Sequence, residues 1–416
     1  MSSESPGASP ARSAFSSLPV LTLPPPGCSR AAEAAFAAEL REVCHTVGFF
    51  YVAGIDAFVS PTTRRDALAA ATRFFAMPQE KKDAMDYRNS PAFRGYVRLG
   101  AENTAGLPDL REQVEFGVEA ETHPKATDAP PYARLRGPNQ WPNEIDCPRF
   151  RENASRFSDE ARALSTRLTR LLALSLDLPA DAFDGVFGDA PNVQMKIARY
   201  PPRMTADGHS RRRRTDANAN VNENDEAAAF GVGAHTDSGF LSLLLQDDVG
   251  GLQVMNGAGE WVDAPPVENT LVVNLGEMLQ LATRGYYLAT PHRVLLPDTH
   301  TSPERGVRDE HRARLSVPYF WNPKLEYVCE PMDLPPSVRW TRAGAPTAAF
   351  AAAAAKAQKE KKKEKKKNPL LEAYGANALK SLARSHPEVM ARHHPDLVVG
   401  EDGAVARRTS ARAYRE

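Results

Sequence analysis

The sequence predicts an α+β fold with a mostly β core, either a β-sandwich or a jelly roll. Three observations carry this expectation. From Asn192 onward the hydrophobic period shifts toward two, as in Val193-Gln-Met-Lys-Ile-Ala-Arg-Tyr200, and a period of two is the signature of a strand with one buried face. The alternating runs are short and are separated by turn residues such as Asn256-Gly257 and Gly250-Gly251, the punctuation of antiparallel sheets. Helical spacing is concentrated ahead of these runs and again near the C-terminus.

Taken in order, residues 1–17 are rich in Ser, Ala and Pro and lack an apolar signal core. They are expected to be a disordered tail, with a transit peptide as the alternative. Residues 18–145 form a first unit. Leu18 to Leu23 is a short strand closed by Pro24-Pro25-Pro26. Residues 30–46 carry a helical stripe through Ala31, Ala35, Leu40 and Val43, and the apolar run 47–53 is a buried strand. A second amphipathic helix spans 61–75, a polar helical turn covers 80–85, and Phe93-Arg94-Gly95-Tyr96 turns into extended chain. Residues 146–189 are linking helices, with Leu164, Leu168, Leu171, Leu172 and Leu176 on one face of a helix over 153–176.

The β core is expected over 190–345. Its strands are read at 193–200, 239–245, 251–255, 261–263, 270–275, 293–296 and 314–320, with a helical turn at 277–283. Residues 209–229 and 346–368 are low-complexity insertions, the first with Arg211 to Arg214 and the second with the Lys-rich run from Lys359 to Lys367. Residues 369–416 supply one C-terminal helix, read over 369–391, and a tail.

Bulk composition excludes several functions. Among the 416 residues, Lys+Arg and Asp+Glu are both 52, so no global charge attracts a polyanion and nucleic acid is not an expected partner. Cys28, Cys44, Cys147 and Cys329 have neither zinc-ribbon nor disulfide-framework spacing, which fits a reducing, cytoplasmic setting with organellar targeting as the alternative. No segment approaches the roughly 18–20 apolar residues that span a bilayer.

Chemistry is concentrated in three residues. Alternation along Gly233-Ala234-His235-Thr236-Asp237 puts His235 and Asp237 on one face of a strand, and His292 heads another apolar run 55 positions later. Two histidines and one carboxylate make the facial triad of non-haem Fe(II) oxygenases, which leaves three positions open on a six-coordinate metal.

Several blocks resemble the isopenicillin N synthase-like 2-oxoglutarate/Fe(II) dioxygenases over roughly 18–345. They include Val47-Gly48-Phe49-Phe50-Tyr51, Phe74-Phe75-Ala76-Met77-Pro78, Arg94-Gly95-Tyr96 and Gly137-Pro138-Asn139-Gln140-Trp141-Pro142. The second half adds His235-x-Asp237, His292 and Arg314-Leu315-Ser316-Val317-Pro318-Tyr319-Phe320. The resemblance implies a double-stranded β-helix, or jelly-roll barrel, with the metal near its open end. It implies Fe(II), 2-oxoglutarate and O2 as reactants and ascorbate as reductant. A small-molecule substrate would be oxidised, by default hydroxylated, with release of succinate and CO2 by a monomeric enzyme.

Arg314 and Ser316, at i and i+2 on a strand, are the expected anchor for the distal carboxylate of 2-oxoglutarate. Arg314 lies 22 positions past His292, further than is usual in the family. A lengthened loop at 297–312 accounts for the difference and introduces the rivals Arg293, Arg305, Arg308 and Arg312. Tyr200 matches a tyrosine whose hydroxyl reaches the co-substrate, with a plain core role as the alternative. Lys196 on the same face is expected to be solvated, with a substrate contact as the alternative. Phe49-Phe50 and Phe74-Phe75 are expected in the core. His209, His300 and His311 are read as solvated, and His386, His393 and His394 as tail residues, with a second metal site as the alternative. Two other readings remain open: an Fe(II)/O2 oxidase of the same fold that does not use 2-oxoglutarate, and a catalytically idle binding protein.

Overall fold

The structure, a computed structural model, describes residues 14–104, 107–120, 129–203, 230–297, 312–338, 372–400 and 403–408. Both low-complexity insertions, nearly all of the lengthened loop and most of the N-terminal tail lie outside the described residues, as do His209, His300 and His311.

In chain order the first unit contains β1 (Val20–Thr22), α1 (Arg30–Thr46), β2 (Phe49–Ala53), α2 (Pro61–Phe75), α3 (Gln79–Asp83), β3 (Gly95–Val97), β4 (Asn103–Thr104), β5 (Leu107–Pro108) and β6 (Glu112–Gly117). Two helices follow, α4 (Phe150–Ser175) and α5 (Asp184–Phe187). The core is β7 (Asn192–Tyr200), β8 (Phe230–His235), β9 (Leu241–Gln246), β10 (Leu252–Met255), β11 (Trp261–Asp263), β12 (Leu271–Leu275), α6 (Glu277–Ala282), β13 (His292–Leu295) and β14 (Arg314–Asn322). The chain closes with α7 (Tyr374–Ser385), α8 (Pro387–His393), β15 (Leu397–Val399) and β16 (Val405–Arg407).

Two sheets make a jelly roll. One runs β1-β2-β12-β9-β14-β7-β6-β3 and the other β11-β10-β13-β8. Only β1–β2 is parallel; the remaining pairs of these sheets are antiparallel. Alternation gives the large sheet two different faces. Leu241, Leu243, Leu245, Val193, Met195, Ile197, Val317 and Trp321 face the helices and pack with Leu40, Phe74, Phe157 and Leu168. Phe49, Tyr51, Ala198, Tyr200 and Val272 face the small sheet and meet Val232, Leu252, Val254 and Val294. On that inner face buried polar side chains include Gln113, Glu115, Ser242, Asn274, Arg314, Ser316 and Asn322. Buried polar groups are costly unless they are bonded, so these positions mark a site and not a packing core.

The helices on the outer face form for local reasons. Ser29 Oγ accepts from Ala32 N at 3.2 Å to cap α1, and Ser60 caps α2 ahead of Pro61 at its first position. The long α4 buries Phe150, Ala154, Phe157, Ala161, Leu164, Leu168 and Leu171, a stripe at helical spacing. The C-terminal region departs from the single helix expected over 369–391. It breaks at His386 (φ −129°, ψ 61°), because Pro387 disfavours helical backbone in the residue before it. The four cysteines are free thiols, and no helix among the described residues is long and apolar enough to cross a membrane.

Gly48 shows how tightly the first unit is fitted to the core. Its φ is +71°, and a Cβ there would run into the Leu288 carbonyl and approach Thr290 Oγ1 at 2.6 Å. Neither neighbour can yield, since Thr290 Oγ1 donates to Val47 O at 2.6 Å. Gly48→Ala is expected to destabilise the fold by about 3 kcal/mol through left-handed strain plus overlap. Urea denaturation reads this as a lower midpoint at unchanged slope.

Candidate active site

The small sheet brings the two histidines together. In the β8–β13 pair His292 stands opposite His235, and their ring centroids are 4.3 Å apart. The strand expectation for His235-x-Asp237 needs one correction: β8 ends at His235, and Asp237 lies in the turn that leads to β9. The turn still delivers the carboxylate. Asp237 Oδ1 is 3.9 Å from His235 Nε2 and 3.9 Å from His292 Nε2. One ligand atom from each of the three falls within 4.8 Å of the others, the only such group of three or more among the described residues. These separations suit three donors around one ion.

Each donor is also oriented. His235 Nδ1 is 2.9 Å from Gly233 O, and His292 Nδ1 is 3.2 Å from Thr290 O. Those carbonyls fix the proton on Nδ1 and turn the Nε2 lone pairs inward. Phe49 packs edge-on against the His292 ring at 5.1 Å. Asp237 Oδ2 accepts from Ser242 Oγ at 2.5 Å and Asn274 Nδ2 at 2.8 Å, which leaves Oδ1 free to face the histidines. Burial pushes the Asp237 carboxyl up, but the two imidazoles and these hydrogen bonds outweigh it and hold the group below the usual carboxylate range. Burial and the neighbouring His235 push His292 down to about 4, so its ring is a neutral donor at physiological pH.

The second polar group lies further along the inner face. Arg314 is 1% exposed. Its Nη2 donates to Gln246 Oε1 at 3.1 Å, and its Nε and Nη1 have no hydrogen-bond partner among the described residues, nor has Gln246 Nε2. Buried donors without acceptors are rare and expensive. A carboxylate bound end-on would give Nη1 an acceptor and share the fork that Nη1 forms with Nη2. Ser316 is buried beside Arg314 on the same face. Tyr200 stands opposite Arg314 in the β7–β14 pair, with the guanidinium 5.0 Å above its ring. Burial raises the Tyr200 phenol, and Arg111, Arg314 and hydrogen bonds to Arg111 and Ser316 bring it below its ordinary value.

The rival arginines are placed elsewhere. Arg293 lies against the Trp261 and Phe230 rings and donates to Gln253. Arg312 pairs with Asp248. Arg305 and Arg308 lie outside the described residues.

A cavity of about 440 Å³ opens beside the triad and is lined by His235, Asp237, Glu102, Arg111, Glu115, Lys196 and His386, among others. The expectation of a solvated Lys196 is overturned here. Its Nζ is 2.8 Å from Glu115 Oε1, and the side chain is 15% exposed. Burial lowers its pKa, but Glu102 and Glu115 more than compensate and keep it charged. Sequence reading does not place Arg111, Glu102 or His386 in the site. His386 is delivered by the break between α7 and α8, whereas the neighbouring His393 and His394 bond the carbonyls of Arg88 and Pro91.

Comparisons with known proteins agree with this geometry. Residues 18–144 match the family described as the non-haem dioxygenase in morphine synthesis N-terminal, and residues 194–323 match the 2OG-Fe(II) oxygenase superfamily. The chain is 37% identical over 328 residues to the 2-oxoglutarate-dependent dioxygenase frbJ of Dothideomycetidae sp. (strain 11243), covering 78% of this chain and 79% of that protein. It is 32% identical over 296 residues to a homoarginine-6-hydroxylase of Glycine max, covering 71% and 80%. Among solved structures, a full-length Neurospora crassa protein crystallised in complex with alpha-KG and thymine superposes with a TM-score of 0.61 at 25% identity, covering 83% of this chain and 99% of that one.

Proposed function

Because the chain belongs to the 2OG-Fe(II) oxygenase superfamily, we propose that His235, Asp237 and His292 hold the iron and that Arg314 and Ser316 anchor the distal carboxylate of 2-oxoglutarate. The protein is a 2-oxoglutarate- and Fe(II)-dependent dioxygenase. The observation that carries the residue assignment is the convergence of the three donors on one point, with every donor oriented from behind. When bound, Fe(II) and 2-oxoglutarate supply the activation of O2, with release of succinate and CO2. The chain's own residues then have distinct tasks. The Gly233 and Thr290 carbonyls hold the imidazole tautomers. Ser242 and Asn274 keep Asp237 Oδ2 occupied, so that Oδ1 is the oxygen that would be offered to iron. Gln246 holds the Arg314 guanidinium in plane, and the Tyr200 ring shields its face.

The substrate is proposed to be a small polar molecule oxidised at a C–H bond. The charged cavity supports this reading. So do the names of relatives, which include homoarginine and thymine. A monomer is the proposed working unit, the state that the family resemblance implies.

Anaerobic visible absorption tests the assignment without knowledge of the substrate. Adding 2-oxoglutarate to the Fe(II)-loaded protein is expected to produce a metal-to-ligand charge-transfer band that is absent in His235→Ala. Bound iron without such a band would overturn the co-substrate assignment in favour of an oxidase that uses iron and O2 alone.

A further inference from the structure

The cavity beside the triad contains more charge than metal or co-substrate binding requires. Arg94, Glu102, Asp109, Arg111, Glu115 and Lys196 line it together with Asp237, and Asp109 Oδ2 is 3.1 Å from Arg111 Nη2. Buried ion pairs add little to stability, and well-packed apolar residues often replace them without loss. So many charged side chains along one reaction cavity therefore point to a ligand.

Their bonds show which groups are already used. Glu115 is filled: Oε1 accepts from Gln113 at 2.5 Å and lies 2.8 Å from Lys196 Nζ, and Oε2 accepts from Gln194 at 2.8 Å. Glu102 is half used. Its Oε2 accepts from Arg111 at 2.7 Å. Its Oε1 stands 3.6 Å from Lys196 Nζ and 4.0 Å from His386 Nε2, too far for a hydrogen bond to either. Lys196 has three N–H donors and places one on Glu115. Among the described residues, an open carboxylate oxygen and open ammonium donors thus lie side by side in one cavity, 3.6 Å apart.

Resting on the oxygenase reading above, we propose that the substrate is a free amino acid, or a compound with the same α-ammonium carboxylate head group, and that Glu102 and Lys196 read that head group. In such a head group the nitrogen and the nearer carboxylate oxygen are about 3 Å apart, close to the spacing of Lys196 Nζ and Glu102 Oε1. The ammonium donates to Glu102 Oε1 and the carboxylate accepts from Lys196 Nζ, so opposite charges alternate around a square. A ligand with only one of the two charges fills one side and leaves the other side's polar atoms buried without partners, a mismatch that selects strongly against it. The reaction is unchanged: one substrate C–H becomes C–OH, one oxygen atom of O2 goes there and the other into succinate, and CO2 leaves.

The test uses the full chain with Fe(II), 2-oxoglutarate and O2 and measures succinate formation. The panel is the free protein amino acids, ornithine, and the one-carbon homologues of arginine and glutamate, each beside its Nα-acetyl and α-amide derivative. At least one free amino acid is expected to accelerate succinate formation, and blocking either end of it to lower kcat/KM by about a hundredfold. Glu102→Gln is expected to raise KM for that amino acid about tenfold or more while KM for 2-oxoglutarate stays the same. The comparison of free and blocked compounds in the unaltered protein stands even if the variant does not fold. Equal turnover of blocked and free forms would overturn the proposal. So would a complete panel without acceleration in a protein that shows the 2-oxoglutarate charge-transfer band. Absence of the band itself would instead remove the oxygenase reading, and this proposal with it.

Discussion

Asp237→Ala is expected to lower kcat/KM by roughly a thousandfold or more, which corresponds to about 4 kcal/mol of lost transition-state stabilisation. The carboxylate is the only anion among the three donors, and its Oδ1 is equidistant from both Nε2 atoms at 3.9 Å. Removing it leaves two neutral imidazoles, and two imidazoles hold a divalent ion poorly without a charged third ligand. The variant also strips Ser242 and Asn274 of their shared acceptor. Stranding those donors costs about 1–3 kcal/mol each, so part of the loss falls on stability. Asn274→Ala separates the two effects. It keeps all three ligands and removes one donor to Oδ2, and is expected to weaken iron binding by about tenfold to a hundredfold. Iron content after anaerobic reconstitution, measured beside thermal unfolding of the metal-free proteins, checks both variants. An Asp237→Ala protein that keeps stoichiometric iron and full turnover would remove Asp237 from the metal site.

Local sequence carries the ligand set because the signal is local. His235 and Asp237 are two residues apart, and His292 opens its own strand. Sequence alone does not show that β13 pairs with β8 in the register that sets His292 opposite His235; between them the chain passes twice through the large sheet, at β9 and β12. The holders of Asp237 leave a faint trace. Ser242 interrupts a leucine run, and Asn274 interrupts Leu271-Val-Val-Asn-Leu275. A polar residue at one position of an otherwise apolar strand is the mark of a buried partner, and alternation puts both on the inner face. Glu102, Arg111 and His386 leave none. They come from a loop edge, the approach to β6 and a helix break nearly three hundred residues later. Only three-dimensional packing makes them neighbours, and the charges that attract solvent in a linear reading attract one another there. Lys196 reads as solvated for that reason: its partner Glu115 faces it from the adjacent strand.

Arg314→Met is expected to raise KM for 2-oxoglutarate by about a hundredfold while leaving the folded protein as stable as before, or more so. The two effects share one cause. The Arg314 side chain is 1% exposed and has two nitrogens without acceptors among the described residues, so without ligand it carries an unmet desolvation cost of a few kcal/mol. Methionine fills comparable space without that cost, although it leaves Gln246 Oε1 without its donor. In the bound state the ranking reverses. A carboxylate entering a guanidinium fork gains charge-assisted bonds worth about 1.5–3 kcal/mol, and methionine offers none. Melting temperature without ligand should therefore hold or rise in Arg314→Met, while the stabilisation that saturating 2-oxoglutarate gives the unaltered protein should disappear. Gln246→Leu is expected to produce a milder loss of the same kind, and the double variant to be no worse than Arg314→Met alone, because Gln246 acts through the guanidinium. If Arg314→Met bound 2-oxoglutarate normally, the carboxylate would have to be held elsewhere, and the two unpartnered donors would be a stability defect without a function. Natural proteins retain such defects where a ligand resolves them, which is why the melting curve with and without 2-oxoglutarate tests the anchor more directly than activity does.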